Sequence, residues 1–284
     1  LFPYTTLFRS LAEHNMAALG LDQARIVCGD GVEYLRQMGP VDFIYLDPAR
    51  RDEHGSRTYA IEDCTPNVLE LRDLLLAKSQ YTLVKLSPML DWRKVVADFD
   101  GTVREVHIVA TGNECKELLL VLGQQVHEEP SAPRVFCVND NQRIDYDSAA
   151  YTQGLRIGGK PLPETKNYLY EPNASIMKAG CFDLVEERFG VTQVGPSSHL
   201  FVSATPVADF PGRGFAIEAI GGMNKKDIKR LLNGTKQANI AVRNFPLTAP
   251  QLRKKLKLAD GGPVYLFGTT MQGCDHVLLR TSKI

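Results

Sequence analysis

No apolar run in the 284-residue chain approaches the roughly 18 residues that a membrane-spanning helix needs, which excludes a helical span. Net charge is absent as well. The 33 lysines and arginines balance 33 aspartates and glutamates, so any site for a polyanion has to come from a local patch. The six cysteines, Cys28, Cys64, Cys115, Cys137, Cys181 and Cys274, stand singly. That excludes the paired spacing of a zinc site and the density of a disulfide scaffold, and points to a reducing cytoplasm. Neither a metal nor a membrane partner is expected. The opening stretch LFPYTTLFRS lacks an apolar core of signal-peptide length and fits no targeting class.

What is present is ordinary for a globular protein: 44% hydrophobic and 23% charged residues, in a chain long enough for two or three domains. The first ten residues stand apart. Translated back, LFPYTTLFRS matches CTCTTTCCCTACACGACGCTCTTCCGATCT, which looks like a short-read sequencing adapter carried into an open reading frame. Residues 1–10 are therefore set aside from the fold as an artefact. Natural sequence upstream of Leu11 is expected to be missing.

From Leu11 to Gly123 helical and strand patterns alternate, which predicts an α/β sheet with crossover helices. LAEHNMAALG reads as a helix closed by Gly20, ARIVC as a short strand leading into Gly29-Asp30-Gly31, and VEYLRQM as a helix. VDFIYLDPARRD begins like a buried parallel strand and stops where Pro48 removes a backbone donor. A helix around NVLELRDLLLAK, the strand YTLVKL and a helix around WRKVVADF follow. The strands VREVHIVAT and KELLLVLG, joined by a turn at Gly112 to Glu114, form an antiparallel hairpin and make the sheet mixed.

HEEPSAPR is a polar, proline-bearing linker. Beyond it VFCVNDNQRIDY reads as strand and turn, and ASIMKAGCFDLVEERFG as one amphipathic helix stopped by Gly190. After a second boundary near Ala208 to Gly214 comes an α+β module: strand GFAIEAIG, helix KKDIKRLLNG, strand ANIAVRNF, helix APQLRKKLKL and the closing pair VYLFGTT and HVLLRTS. The expected division is 11–125, 133–207 and 208–284.

Asp47-Pro48-Ala49-Arg50 ends an apolar strand. In open α/β sheets ligands bind beyond the carboxyl ends of strands, so this places a carboxylate and a stiffened carbonyl in the crevice. A capped strand-to-helix turn accounts for Asp and Pro equally well. The upstream strand ARIVC delivers Asp30 to the same edge, and two acidic strand ends suit a ligand rich in amines and hydroxyls. The order ALG-x-x-x-A-x-I-V-x-G-D-G-V-E-Y-L, then D-F-I-Y-L-D-P-A-R, resembles the middle of a class I S-adenosylmethionine-dependent methyltransferase. The resemblance implies that Asp30, with Gly31, and Asp47 contact the cofactor. It also implies that Asp47 and Pro48 lie beside the transferred methyl; Arg50, by the chemistry of its guanidinium, is a candidate to stack on the substrate or hold a phosphate.

In the carboxyl half, YLYEPNASIMKAG, SSHLFVSA, FPGRGFAIE, ANIAVRNFPLTAPQLRKKLKLADGG and VYLFGTT are similar to a bacterial methyltransferase family with a ferredoxin-like segment and a THUMP-like domain. That resemblance implies a structured RNA substrate, tRNA or rRNA. The charge pattern points the same way. Between Gly221 and Asp260 ten basic residues face two acidic ones, and Lys225, Lys226, Lys229, Arg230, Arg243, Arg253, Lys254 and Lys255 are the candidate phosphate contacts. Solvated helix faces are the alternative explanation.

The expected fold is thus an incomplete Rossmann-like methyltransferase sheet, its first strands missing, followed by α+β ferredoxin-like and THUMP-like modules. The expected activity is methylation of a base nitrogen in RNA. Relatives that modify amines have Asp/Asn-Pro-Pro and an aromatic residue, whereas this chain has Ala49 and Arg50. Carbon methylation would need a cysteine nucleophile, for which Cys64 is the remaining candidate. Competing readings are a non-catalytic RNA-binding protein on a decayed scaffold, or a small-molecule or protein methyltransferase. Lys85, Asn113, Glu114, Cys115, His54, Arg51 and Arg57 have bland explanations as solvated or turn residues. The family's glycine-rich cofactor turn is not visible, so weak or absent binding of S-adenosylmethionine is expected.

Overall fold

The computed structural model describes residues 4–49, 61–124, 132–151, 162, 164–273 and 276–284. The first half builds six strands: β1 (Val41–Leu46), β2 (Ser79–Leu86), β3 (Val103–Thr111), β4 (Glu114–Gly123), β5 (Arg134–Asn139) and β6 (Gln142–Asp147). They lie side by side in the order β1-β2-β4-β3-β5-β6. β1 runs parallel to β2 and β3 parallel to β5, while β4 is antiparallel to both its neighbours. The expected hairpin is therefore present. Gly112 and Asn113 take positive φ at its turn, where glycine and asparagine are least strained.

The described residues of this half also form four α-helices: α1 (Tyr4–Ala18), α2 (Gly31–Gln37), α3 (Val68–Lys78) and α4 (Trp92–Asp98). The last three begin on side chains that accept from free amides of the first turn, Asp30, Asn67 and Asp91, each cap contributing about 1 kcal/mol. Strand alternation sends Val84, Leu86, Leu118, Leu120 and Leu122 to one face, where they join Leu71, Leu75, Trp92 and Val95 in the main core. The opposite face is open at β1 and β2: Phe43, Tyr45 and Tyr81 are 54%, 54% and 45% exposed.

Three expectations are corrected here. The strand over 41–46, read as fully buried, is an edge strand with an exposed face, because no described strand pairs with its outer side. ARIVC forms no strand; a strand needs a neighbour for its amides and carbonyls, and residues 24–28 pair with none among the described residues. The first helix is not confined to residues after 10 but starts at Tyr4. Of its described side chains none joins the buried clusters, and Leu11 on it and Leu19 and Leu21 just beyond it are exposed.

The second sheet comprises β7 (Tyr168–Pro172), β8 (Thr192–Gln193), β9 (Phe201–Ser203), β10 (Gly212–Gly221), β11 (Asn239–Arg243), β12 (Val264–Thr270) and β13 (His276–Lys283). Their order is β11-β12-β13-β10-β7-β9-β8. The segment expected as one unit over 133–207 thus contributes to both sheets, β5 and β6 to the first and β7 to β9 to the second. The single helix expected over 174–190 is two, α5 (Ala174–Ala179) and α6 (Phe182–Phe189), because Gly180 adopts φ 66° and ends the first.

Helices α7 (Lys225–Leu232) and α8 (Ala249–Leu256) cover one face of the second sheet, where Leu231, Leu252 and Leu256 pack with Val264, Leu266 and Leu278. Leu169, Val202, Phe215, Phe267 and Leu279 fill the other face. The sheet coils until distant corners meet: Arg243 at the end of β11 reaches Glu171 of β7 at 2.8 Å, and the Gln272 amide donates to the Val194 carbonyl at 2.8 Å. Gly212 makes the β7–β10 approach possible, since a Cβ there would lie 2.1 Å from the Glu171 carbonyl oxygen. Among the described residues no helix is long and apolar enough to cross a membrane.

Candidate functional site

Asp47 and Pro48 stand at the carboxyl tip of β1, Asp47 exposed and Pro48 buried. The turn is fastened beyond the proline: the amides of Ala49 and Thr65 each donate to the other residue's carbonyl, at 2.8 and 3.1 Å. The parallel register pairs Tyr45 with Leu83 and Leu46 with Val84, which sets Asp47 beside Lys85. Lys85 Nζ donates to Asp47 Oδ2 at 2.8 Å and lies 3.9 Å from Glu117 Oε1 on β4. The Asp47 hydrogen bond holds the Lys85 ammonium above its usual range, so it is charged at neutral pH. Asp47 Oδ1 accepts no hydrogen bond among the described residues.

In sequence Lys85 reads as a solvated strand end that could also reach the crevice, and Glu117 carries no signal at all. Only the order of β1, β2 and β4 brings the three side chains together. The three charged groups at this tip are therefore a carboxylate on an edge strand, a lysine that fixes it and a second carboxylate within reach of the lysine.

Asp30 caps α2, its Oδ1 accepting from the amides of Val32 and Glu33 at 2.8 and 2.9 Å. Gly31 opens the helix. No hydrogen bond or ion pair among the described residues links this carboxylate to Asp47. Arg50, Arg51, His54 and Arg57 lie outside the described residues. Cys64 is buried, and Cys115 is half-buried with its thiol pushed up by burial. Asn113 at the β3–β4 turn accepts from the Ala174 amide at 2.8 Å and so braces the start of α5. Among the described residues no group of three or more His, Cys, Asp or Glu side chains could hold a metal ion.

The basic candidates separate into two kinds. Lys225, Lys226 and Lys229 on α7 and Lys254 and Lys255 on α8 are exposed and make no ion pair among the described residues, and both helices pack on the same sheet face. The arginines are engaged. Arg230 donates to the Ile220 carbonyl at 2.8 Å and pairs with Asp227. Arg253 bonds the Ala238 and Ala259 carbonyls and Asp260, and Arg243 is turned onto Glu171.

Glu171, which carried no sequence signal, is 3% exposed and receives Arg243 on one oxygen and Arg213 on the other. Its arginines come from β10 and β11, so the carboxylate ties strands that are far apart in the sheet order.

No curated protein matches the chain. A crystal structure of a proposed methyltransferase from Porphyromonas gingivalis W83 superposes on it with a TM-score of 0.79 at 34% identity, covering 91% of this chain and 64% of that one. The chain therefore spans 64% of that protein's length. Residues 168–211 match a ferredoxin-like domain, and residues 212–283 match a THUMP domain-like family. On these matches the chain carries a ferredoxin-like domain followed by a THUMP-like domain, behind a mixed α/β region.

Proposed function

We propose that this chain is part of an S-adenosylmethionine-dependent methyltransferase acting on a base nitrogen of structured RNA, tRNA or rRNA. The observation that carries the reading is the Asp47-Pro48 turn, held at a parallel strand tip by Lys85. It lies in a chain 34% identical over 91% of its length to the Porphyromonas gingivalis protein. In this reading residues 11–125 belong to the methyltransferase domain, and the THUMP-like domain supplies the RNA contacts through the α7 and α8 lysines.

The substrate's exocyclic amine would donate one hydrogen to Asp47 Oδ1, the oxygen Lys85 leaves free, and another to the Pro48 carbonyl. That fixes the nitrogen lone pair in one direction, which is the orientation an in-line transfer requires. Arg50 would stack on the base or hold a phosphate. A target base must leave its stack to reach the tip, and the exposed Tyr45 on the same face offers a surface for it.

S-adenosylmethionine would supply the methyl on its sulfonium. Asp30, with its second carboxylate oxygen, and Asp47 are the side chains that would approach it. The described residues do not wall in a cofactor: Asp30 and Asp47 are both exposed, and residues 24–28 between α1 and α2 join no sheet. Calorimetry of this chain with S-adenosylmethionine is expected to give weak or no binding; a micromolar dissociation constant would contradict it.

The decisive test is Asp47→Ala in the complete reading frame, assayed for transfer of labelled methyl to bulk tRNA and rRNA. We expect a loss of about 100-fold in kcat with folding unchanged by circular dichroism. Transfer at the parental rate would remove Asp47 from the chemistry.

A further inference from the structure

We propose that Lys85 is a specificity-determining residue of the strand tip: beside Asp47 it selects an exocyclic amine flanked by an unprotonated ring nitrogen, as in adenine and cytosine, over the amine of guanine. The inference rests on the methyl-transfer reading and narrows its substrate. A carboxylate with both oxygens open is a fork of two acceptors. Such a fork fits guanine best, because the ring N1–H stands beside the 2-amine and the two donors reach the two oxygens together. Asp47 does not offer that fork. Lys85 Nζ already donates to its Oδ2 at 2.8 Å, which leaves Oδ1 as the oxygen that accepts no hydrogen bond among the described residues. A base at the tip therefore meets one acceptor, Oδ1, with one donor group, the ammonium, beside it.

The ammonium has donors to give. Of its three N–H groups one goes to Asp47 among the described residues, and Glu117 Oε1 at 3.9 Å lies beyond hydrogen-bond reach. Its place does not depend on Asp47 alone: Lys85 pairs with Leu119 in the β2–β4 register, so its side chain shares a sheet face with Glu117, two residues from Leu119. Carboxylates from two strands thus hold it from both sides. The Lys85 and Asp47 side chains are 24% and 42% exposed, so a guest has access to both. The Asp47 hydrogen bond also keeps the ammonium charged at neutral pH, and a charged ammonium donates and never accepts. Adenine answers with N1 or N7 beside its 6-amine and cytosine with N3 beside its 4-amine, the amine hydrogen going to Oδ1 and the ring nitrogen taking an N–H of Lys85. Guanine turns its N1–H toward that ammonium, donor against donor, and its N3 lies on the side of the ribose. It forgoes the hydrogen bond that the other two gain.

The first test identifies the product. The complete reading frame is incubated with bulk tRNA and rRNA and methyl-labelled S-adenosylmethionine, and the RNA is digested to nucleosides. Label is expected in N6-methyladenosine or N4-methylcytidine. Label in N2-methylguanosine or any other nucleoside would overturn the inference and leave methyl transfer to RNA standing; no label in any nucleoside would remove the transfer reading and the inference with it. The second test separates recognition by Lys85 from mere support of Asp47. Substrate RNA carrying a deaza analogue at the modified position, 1-deaza- or 7-deazaadenosine or 3-deazacytidine, is compared with natural RNA for the unmodified enzyme and for Lys85→Met. Any change in the reactivity of the amine is common to both proteins and cancels. One of the analogues is expected to carry a penalty in kcat/KM about tenfold larger for the unmodified enzyme than for Lys85→Met, the worth of one hydrogen bond to a charged group. Equal penalties in the two proteins for every analogue would overturn the proposal.

Discussion

Changing Lys225, Lys226, Lys229, Lys254 and Lys255 together to alanine is expected to weaken binding of structured RNA by about 100-fold at 0.1 M salt. Each lysine that meets a phosphate releases a counterion and adds about 0.9 to the slope of log affinity against log salt for a duplex, so five removed contacts flatten that slope by up to about 4.5. The geometry behind the expectation is the shared face: α7 and α8 bury Leu231, Leu252 and Leu256 against the same strands and leave these lysines exposed. Alanine is the better helix former, so lost affinity cannot be put down to unfolded helices. Filter binding at 50 and 200 mM salt checks it, and an unchanged slope would relocate the RNA surface. Arg253→Ala should behave differently. Its guanidinium bonds two backbone carbonyls and Asp260, so the loss should register in stability more than in salt slope.

Glu171→Ala should destabilise the chain by about 3 kcal/mol or more in urea denaturation. Removing one member of a buried ionic cluster leaves the others unpaired, at a typical cost of about 3–5 kcal/mol. Here the carboxylate is 3% exposed while the arginines are partly solvated, so the lower end of that range applies. Glu171→Gln keeps the volume and one acceptor and should cost less. A fall below about 1 kcal/mol for the alanine variant would mean that the guanidiniums turn to water and that the coiled sheet holds without the clamp. Because Glu171 lies in the ferredoxin-like segment and its arginines in the THUMP-like one, the same measurement reports how firmly the two are joined.

Much of the local architecture was legible in the residues. Apolar runs punctuated by Asp, Asn, Thr and Gly marked α2, α3, α4, α7 and α8 and the strands between them, since caps and left-handed turns are satisfied within a few residues. The β3–β4 hairpin was readable at Gly112-Asn113-Glu114 for the same reason. Where a local pattern depended on a distant neighbour the reading failed. VDFIYL looks buried until the sheet leaves its outer side unpaired, and ARIVC looks like a strand until no partner is found. The helix over 174–190 was misread by a nearer cause, Gly180 accepting the left-handed conformation in mid-pattern.

The candidate sites divide along the same line. Asp47 and Pro48 were visible because an acidic residue and a proline ending an apolar strand are a short-range signal. Lys85 is 38 residues away from Asp47, and Arg243 is 72 residues from Glu171; nothing in either neighbourhood names its partner. The sequence by itself determined which segments coil, which extend and where positive charge accumulates, because those follow from side-chain periodicity and caps. Only the tertiary structure decided which charges are free to meet a ligand and which are spent on one another, because that depends on strand order and register, and these place residues of distant segments within hydrogen-bonding reach.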